Sequence, residues 1–208
     1  MSREAVIVDA GVGNLGNLAR AVRHLGSECQ ITRDPREIAA ARRLLLPGVG
    51  AFRPPREALR GAMEEALRQA LADGAFLLGI CVGHQLLFEA GEEHGRTDGL
   101  GLLPGVVERL PSEVSGSRIV LPHIGWNRLH DERDHPLLAG IPAGSYFYFV
   151  HSYAALAGGG VCLARATHGA SFAAAAGRGR VFGTQFHPEK SGRWGLRLLG
   201  NYLEMGEA

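Results

Sequence analysis

Two rhythms of hydrophobic and polar positions divide the chain. Up to Gly91, short apolar runs alternate with stretches whose apolar residues return every three or four positions. Residues 5–9 and 28–32 read as strands, and 43–46 and 76–78 have the short, apolar character of buried ones. Between them Leu18, Ala21, Val22 and Leu25 fall at helical spacing, and so do Leu59, Met63, Ala66, Leu67 and Ala70. They predict one amphipathic helix after the first strand and another over residues 57–72, closed by Gly74. A third helix is predicted over residues 85–90, ending at Gly91. Asp34-Pro35-Arg36-Glu37 supplies an N-cap, a first-turn proline and the glutamate of a capping box. Strand and helix alternating in this way predict a parallel sheet with helices on both faces.

After Gly91 the rhythm shortens. Residues 106–110, 118–121, 144–151, 161–167, 171–176 and 180–186 read as strands with hairpin-like connections, one of them turning at Arg178-Gly179. They predict an antiparallel extension of the first sheet or a small second one. Gly158-Gly159-Gly160 reads as a turn, and residues 192–205 as a closing helix with Leu196, Leu199 and Leu203 at core spacing. The expected fold is one α/β domain over residues 1–208. It has three layers: a mostly parallel central sheet, flanking helices and a C-terminal antiparallel extension.

Composition narrows the function classes. A chain of 208 residues is long enough to bury a core, and a net charge of +1 gives no electrostatic case for nucleic acid or a membrane surface. No basic start with a following apolar stretch resembles a signal peptide, and no apolar run approaches the roughly 18 residues of a membrane span. Three cysteines cannot all pair, which fits a reduced, cytoplasmic protein. Thirty glycines are about twice the usual share of roughly 7%, as many tight strand-to-helix turns require.

The candidate chemistry centres on Gly79-Ile80-Cys81-Val82-Gly83. A cysteine flanked by glycines between a strand and a helix is the thiol form of the nucleophile elbow. The sharp turn strains the corner residue and needs small neighbours, and it presents the thiol near backbone N–H groups that can bind an oxyanion. Alone, the pattern is equally a buried cysteine in a tight turn. Cys81 and His84 also have the C-x-x-H spacing of metal ligands, but no second ligand pair accompanies them, so neither a metal nor a cofactor is expected. The far end of the chain favours the nucleophile. There a run of six apolar-leaning residues delivers His187-Pro188-Glu189. In extended chain, side chains two apart share a face, so Glu189 is placed to orient His187 as a base.

A competing pattern lies near the start. Gly11, Gly13 and Gly16 match G-x-G-x-x-G after a strand, and Asp34 stands at roughly the distance of a dinucleotide-binding acid. That module leaves the cysteine, histidine and glutamate unexplained, and Asp34 already serves as an N-cap.

Together the motifs identify a resemblance. The chain resembles class I, triad-type glutamine amidotransferases and, within them, the glutaminase subunits of imidazole glycerol phosphate synthase of histidine biosynthesis. The stretches that carry it are residues 8–15, 46–52, 122–127, 148–153 and 183–190, spread over nearly the whole chain. Subunits for anthranilate or purine synthesis share the fold but not the stretches 122–127 and 148–153. Peptidase-like cysteine hydrolases share the elbow but not His187-Pro188-Glu189. Ala10 and His84 depart from the family's more usual tyrosine and methionine.

The resemblance implies glutamine hydrolysis by Cys81, His187 and Glu189. It implies an oxyanion hole from Val82 and the Gly48, Val49 and Gly50 segment, whose Gly48–Val49 peptide can flip. It implies a glutamine site from Gly50, Gln85, Ser152 and Tyr153. The implied partner is a separate HisF-type (β/α)8-barrel cyclase that receives the ammonia, faced by Asn14, Trp126, Asn127 and Lys190. Lys190 is the chain's single lysine among 22 basic residues. A compact ammonium at that place is something arginine's planar fork does not replace.

Overall fold

The computed structural model describes residues 4–156 and 160–206. In chain order the first part holds β1 (Glu4–Val8), α1 (Leu15–His24), β2 (Glu28–Thr32), α2 (Pro35–Ala40) and β3 (Arg43–Gly48). There follow α3 (Arg53–Leu59), α4 (Ala62–Ala72), β4 (Phe76–Cys81) and α5 (Val82–Leu86). The second part holds β5 (Ala90–Gly91), β6 (Thr97–Asp98), β7 (Val106–Arg109), β8 (Glu113–Val114), β9 (Ser117–Arg118) and β10 (His123–Arg128). It closes with β11 (Tyr146–His151), β12 (Tyr153–Ala155), β13 (Cys162–His168), β14 (Ala170–Arg178), β15 (Val181–Thr184) and α6 (Gly192–Glu204).

The central sheet runs in the order β13-β14-β15-β4-β3-β1-β2. Five strands, from β15 to β2, are parallel, and β13 and β14 add antiparallel at the far edge. β3 and β4 are buried nearly throughout, as their unbroken apolar runs require of strands in a parallel sheet's centre. The connection from β1 to β2 steps one way along the sheet, and those from β2 to β3 and β3 to β4 step back. Right-handed crossovers therefore put α1 on one face and α2 to α4 on the other. α6 packs with α1, and α2 with α4. Both antiparallel possibilities are realised. Besides the extension of the main sheet there is a four-stranded sheet β12-β7-β5-β6, a ribbon β10-β11 and a small hairpin β8-β9.

Several elements differ from the sequence expectation, each for a local reason. The helix over 57–72 is two helices, broken at Gly61, whose φ of +77° no ordinary helical residue adopts. At the break Arg56 turns inward, pairs with Glu64 at 2.7 Å and donates to the Asp98 carbonyl at 2.9 Å. The helix expected over 85–90 is instead α5, over Val82–Leu86. Leu100 and Leu102 donate to the Leu86 and Leu87 carbonyls (2.7 and 2.8 Å), which diverts the chain into β5. The strand expected over 118–121 is reduced to Ser117–Arg118, ahead of a cis Leu121–Pro122 peptide. The strand His123–Arg128 was not expected: its apolar residues, Ile124 and Trp126, face outward, so no core-facing apolar row marks it. It forms by pairing residue for residue with β11, His123 opposite His151 and Trp126 opposite Tyr148. Gly158 and Gly159 of the expected turn lie outside the described residues.

The capping at α2 is also built differently. Asp34 accepts from the Arg36 amide at 2.8 Å, as an N-cap should, but Glu37 bonds the Thr32 hydroxyl. That hydroxyl in turn accepts from the Asp34 amide at 2.9 Å. The expected capping box is thus relayed through Thr32.

Candidate active site

The elbow is dictated by crowding. Cys81 ends β4 with φ +56° and ψ −110°, a strained conformation of the kind that costs about 1–3 kcal/mol and is kept where surrounding packing enforces it. The enforcing contacts are visible at both flanking glycines. A Cβ on Gly83 would fall inside the Leu46 carbonyl, and one on Gly79 would meet the Gly83 carbonyl at 2.6 Å. Backbone packed against backbone leaves no side chain to move aside.

Strand register then gathers the site. Gly48 pairs with Cys81 across β3 and β4, and Thr184 pairs with Ile80 across β4 and β15. The carboxyl ends of three adjacent parallel strands thus bring together the segment after Gly48, Cys81, and the segment after Thr184. This is the edge where open α/β sheets hold their ligands. It explains how residues 81 and 187 meet although the chain between them builds the smaller sheets.

His187 and Glu189 are joined as the sequence suggests, but by another geometry. Nδ1 of His187 lies 2.8 Å from Glu189 Oε1, and both side chains are almost fully buried. They do not share the face of an extended strand. β15 ends at Thr184, and Pro188–Lys190 form a 3-10 turn that folds the carboxylate back under the ring. The turn is fastened from several sides. The His187 amide donates to the Tyr148 carbonyl (3.0 Å), and Ser191 Oγ donates to the His187 carbonyl (2.6 Å) while accepting from the Tyr148 amide (3.0 Å).

Burial by itself pushes the His187 imidazolium down. Cys81 and Glu189, on its two sides, outweigh that and raise its pKa to about 10. The Nε2 is the ring nitrogen left for the sulfur, and it makes no well-formed hydrogen bond. Cys81 Sγ has the Val150 carbonyl and Gln185 Nε2 at 3.9 Å each.

In front of the sulfur lies a cavity of about 240 Å³. Val49, Gly50, Cys81, Val82, Gln85, Ser152 and Tyr153 line it, all residues that the sequence proposed for this site. Gly48 does not. It stands behind the cavity, its Cα packed on Val82 and Gly83. Four further wall residues, Glu93, Pro122, Val150 and His151, were not foreseen. Glu93 reaches in from a loop and accepts from the Phe52 amide at 2.8 Å. The signal for Gln185 was within reach: it sits two residues before His187, is fully buried, and bonds Gln85 Nε2 through its Oε1 at 3.1 Å.

The proposed partner residues divide. Trp126 is 56% exposed on the outer face of the ribbon, edge-on to Tyr148, and Lys190 Nζ lies 5.8 Å from the Tyr148 ring centre. With Ile124 and Tyr146 they make an exposed apolar and aromatic face. Asn14 caps α1 by accepting from the Asn17 amide, and Asn127 spends its side chain on internal bonds. His84 is fully buried and edge-on to Phe88. Its ring approaches the Ala173 backbone, yet neither nitrogen makes a well-formed hydrogen bond, and burial pushes its pKa down to about 4.

The dinucleotide reading loses its residues. Asp34 is occupied as a cap, and the Gly11 amide is held at 2.9 Å by Asp9, which also binds Arg33. No group of three or more His, Cys, Asp or Glu side chains arranged to hold a metal occurs among the described residues.

Comparison with known proteins shows the family. The family model "Glutamine amidotransferase class-I" matches residues 6–203. The imidazole glycerol phosphate synthase subunit HisH of Symbiobacterium thermophilum is 46% identical over 202 residues, covering 96% of this chain and 93% of that protein. The HisH subunit of Methanosarcina barkeri is 44% identical over 208 residues, covering 98% and 99%. Among solved structures, PurLQS from Thermotoga maritima superposes with a TM-score of 0.74 at 20% identity, over 98% of this chain and 99% of that one. A crystal structure of a glutamine amidotransferase gives 0.72 at 21% identity, over 95% and 97%. The chain belongs to the class I glutamine amidotransferase family, in its branch of imidazole glycerol phosphate synthase HisH subunits.

Proposed function

We propose that Cys81, His187 and Glu189 are the triad with which this HisH-family glutaminase hydrolyses glutamine. Cys81, its proton taken by His187, attacks the side-chain amide carbon, and the oxyanion is received by backbone N–H groups of Val82 and the 48–50 segment. Ammonia leaves with a proton from His187, and water then hydrolyses the γ-glutamyl thioester to glutamate. Gly50, Gln85, Ser152 and Tyr153 hold the substrate. The observation that carries the reading is the buried His187–Glu189 pair at 2.8 Å beside a cysteine held at φ +56°.

Ammonia in water at neutral pH is mostly ammonium and no nucleophile, so a sealed route into a synthase site has chemical value. The acceptor chemistry belongs to a second polypeptide, a HisF-type (β/α)8-barrel cyclase, and its acceptor is the phosphoribulosyl formimino-carboxamide ribotide. The exposed face of Ile124, Trp126, Tyr146 and Lys190 is its docking side. Three free cysteines suit a reducing cytoplasm, and among the described residues no helix is long and apolar enough to cross a membrane. Cys81→Ala in the complex should abolish glutamine-dependent synthesis and leave synthesis from ammonium salts intact. Loss of both would contradict this division of labour.

A further inference from the structure

The imidazoles of His151, in the cavity wall beside Ser152 and Tyr153, and of His123 next to it take no part in the triad chemistry, and their hydrogen bonds run in one direction. The Tyr153 carbonyl can only accept, so His151 Nδ1, 3.0 Å from it, carries a proton. Burial, with His123 beside it, pushes the His151 pKa down to about 3, so the ring is neutral and its Nε2 bare. That bare nitrogen lies 3.1 Å from His123 Nδ1, which must donate. Burial and the His168 ring, stacked at 4.2 Å, hold His123 down at about 4. Its Nε2 therefore accepts from Asn127 Nδ2 at 3.2 Å. The other end agrees independently. Asn127 gives its second Nδ2 proton to the Thr167 carbonyl at 3.0 Å, and its Oδ1 accepts from the Arg128 amide at 2.7 Å. Reversing the amide would set two oxygens against each other.

The path continues past Tyr153. Its carbonyl also accepts from Gln85 Nε2 at 2.8 Å, and Gln85 Nε2 reaches Gln185 Oε1. That leaves Gln185 Nε2 as the group turned to Cys81 Sγ. An unbroken chain of polar groups thus joins a ribbon residue next to exposed Trp126 with the glutamine cavity and the sulfur.

We propose that Asn127, His123 and His151 are positioning residues for glutamine hydrolysis. By a fixed set of imidazole tautomers they hold the Tyr153 carbonyl, and through it the Gln85 amide, in the arrangement that receives glutamine. The proposal rests on reading that cavity as the glutamine site. Packing alone would need only rings of this size; a donor chain needs N–H on one side of each ring and a bare nitrogen on the other.

The test uses the complex with the partner cyclase. Breaking one bond to a buried acceptor in His123→Leu should raise KM for glutamine about tenfold, with kcat changing less than about threefold. His123→Asn keeps an amide donor near the Nδ1 position and should recover most of that KM. Equal KM values in the two variants, or a loss of kcat at unchanged KM, would overturn the proposal. Should His123→Leu not fold, the ¹⁵N spectrum of the wild-type imidazoles decides. At about pH 7 both His123 and His151 should be protonated at Nδ1 and bare at Nε2. An Nε2–H tautomer or an imidazolium at either overturns the chain whatever the kinetics. A wild-type complex that failed to hydrolyse glutamine would instead overturn the pocket reading, which the spectrum does not depend on.

Discussion

The elbow and the β10–β11 ribbon flank the same cavity and are held in place by opposite means. At the elbow, backbone crowding decides: Gly79 is pressed on Gly83 within the segment, Gly83 is pressed on Leu46 of the neighbouring β3, and the cysteine between them has nowhere else to go. In the ribbon nothing local decides. β10 has no core-facing apolar row, and it becomes a strand because β11 pairs with it and because Phe147, Phe149, Phe172 and Phe186 pack beneath. Its inner residues, His123, Asn127 and His151, are defined in part by polar partners 28 and 40 residues apart in sequence, beside the short-range Asn127–His123, Asn127–Arg128 and His151–Tyr153 links. One wall of the pocket is steric and rigid; the other is a hydrogen-bonded assembly. A steric wall fails completely when altered, and a bonded wall fails by degrees.

The comparison breaks hardest at Gly83. Gly83→Ala places a methyl group inside the Leu46 carbonyl, and more than about 4 kcal/mol of stability should be lost, read as a collapsed melting transition or insolubility. A stable, active Gly83→Ala protein would show that the elbow is not closed by crowding.

Next in size is Glu189→Gln, which leaves the shape and removes the charge beside His187. Glutaminase kcat should fall about a hundredfold or more while the fold persists. The pH profile of stability should change with it. His187 is raised from about 6.5 in the unfolded chain to about 10 in the folded one, so its contribution is full below about 6.5 and is lost as pH rises toward 10. Thermal melting of the wild type should decline across that window, and the variant's should decline less. Identical slopes would mean that Glu189 does not sustain the imidazolium.

On the ribbon side effects should be smaller. Trp126→Ala should weaken association with the proposed cyclase partner by about 2 kcal/mol, measured by calorimetry, with the melting temperature of the free subunit almost unchanged. A subunit that binds as before would move the docking side elsewhere. Smallest of all, back on the elbow helix α5, is His84→Met. It replaces a fully buried ring without well-formed hydrogen bonds by an apolar side chain, and should stabilise the protein by about 1 kcal/mol. Destabilisation would mean that His84 has a polar partner.

The same contrast explains what the sequence made legible. Elements fixed by short-range periodicity, β1 to β4, α1 and α6, stand where hydrophobic spacing puts them. Gly79, Cys81 and Gly83 announce a strained corner because a sharp strand-to-helix turn requires small flanking residues, although the carbonyl that crowds Gly83 belongs to Leu46 on β3. His187 and Glu189 were legible as a pair, but the 3-10 turn that joins them was not, since it depends on Ser191 and Tyr148. β10, Glu93 and the links that join His123 to His151 were out of reach for the same reason. Their roles arise only when strands far apart in sequence are laid side by side, and a polar residue in a nonperiodic stretch gives no hint of which carbonyl it will meet.

Quenching the complex with acid during turnover and locating any covalent intermediate by mass spectrometry would test the central claim most directly. The account predicts that the peptide containing Cys81 gains the mass of glutamine less ammonia, and that Cys29 and Cys162 gain nothing. Rapid turnover with no adduct on Cys81, or with the adduct on another residue, would contradict it.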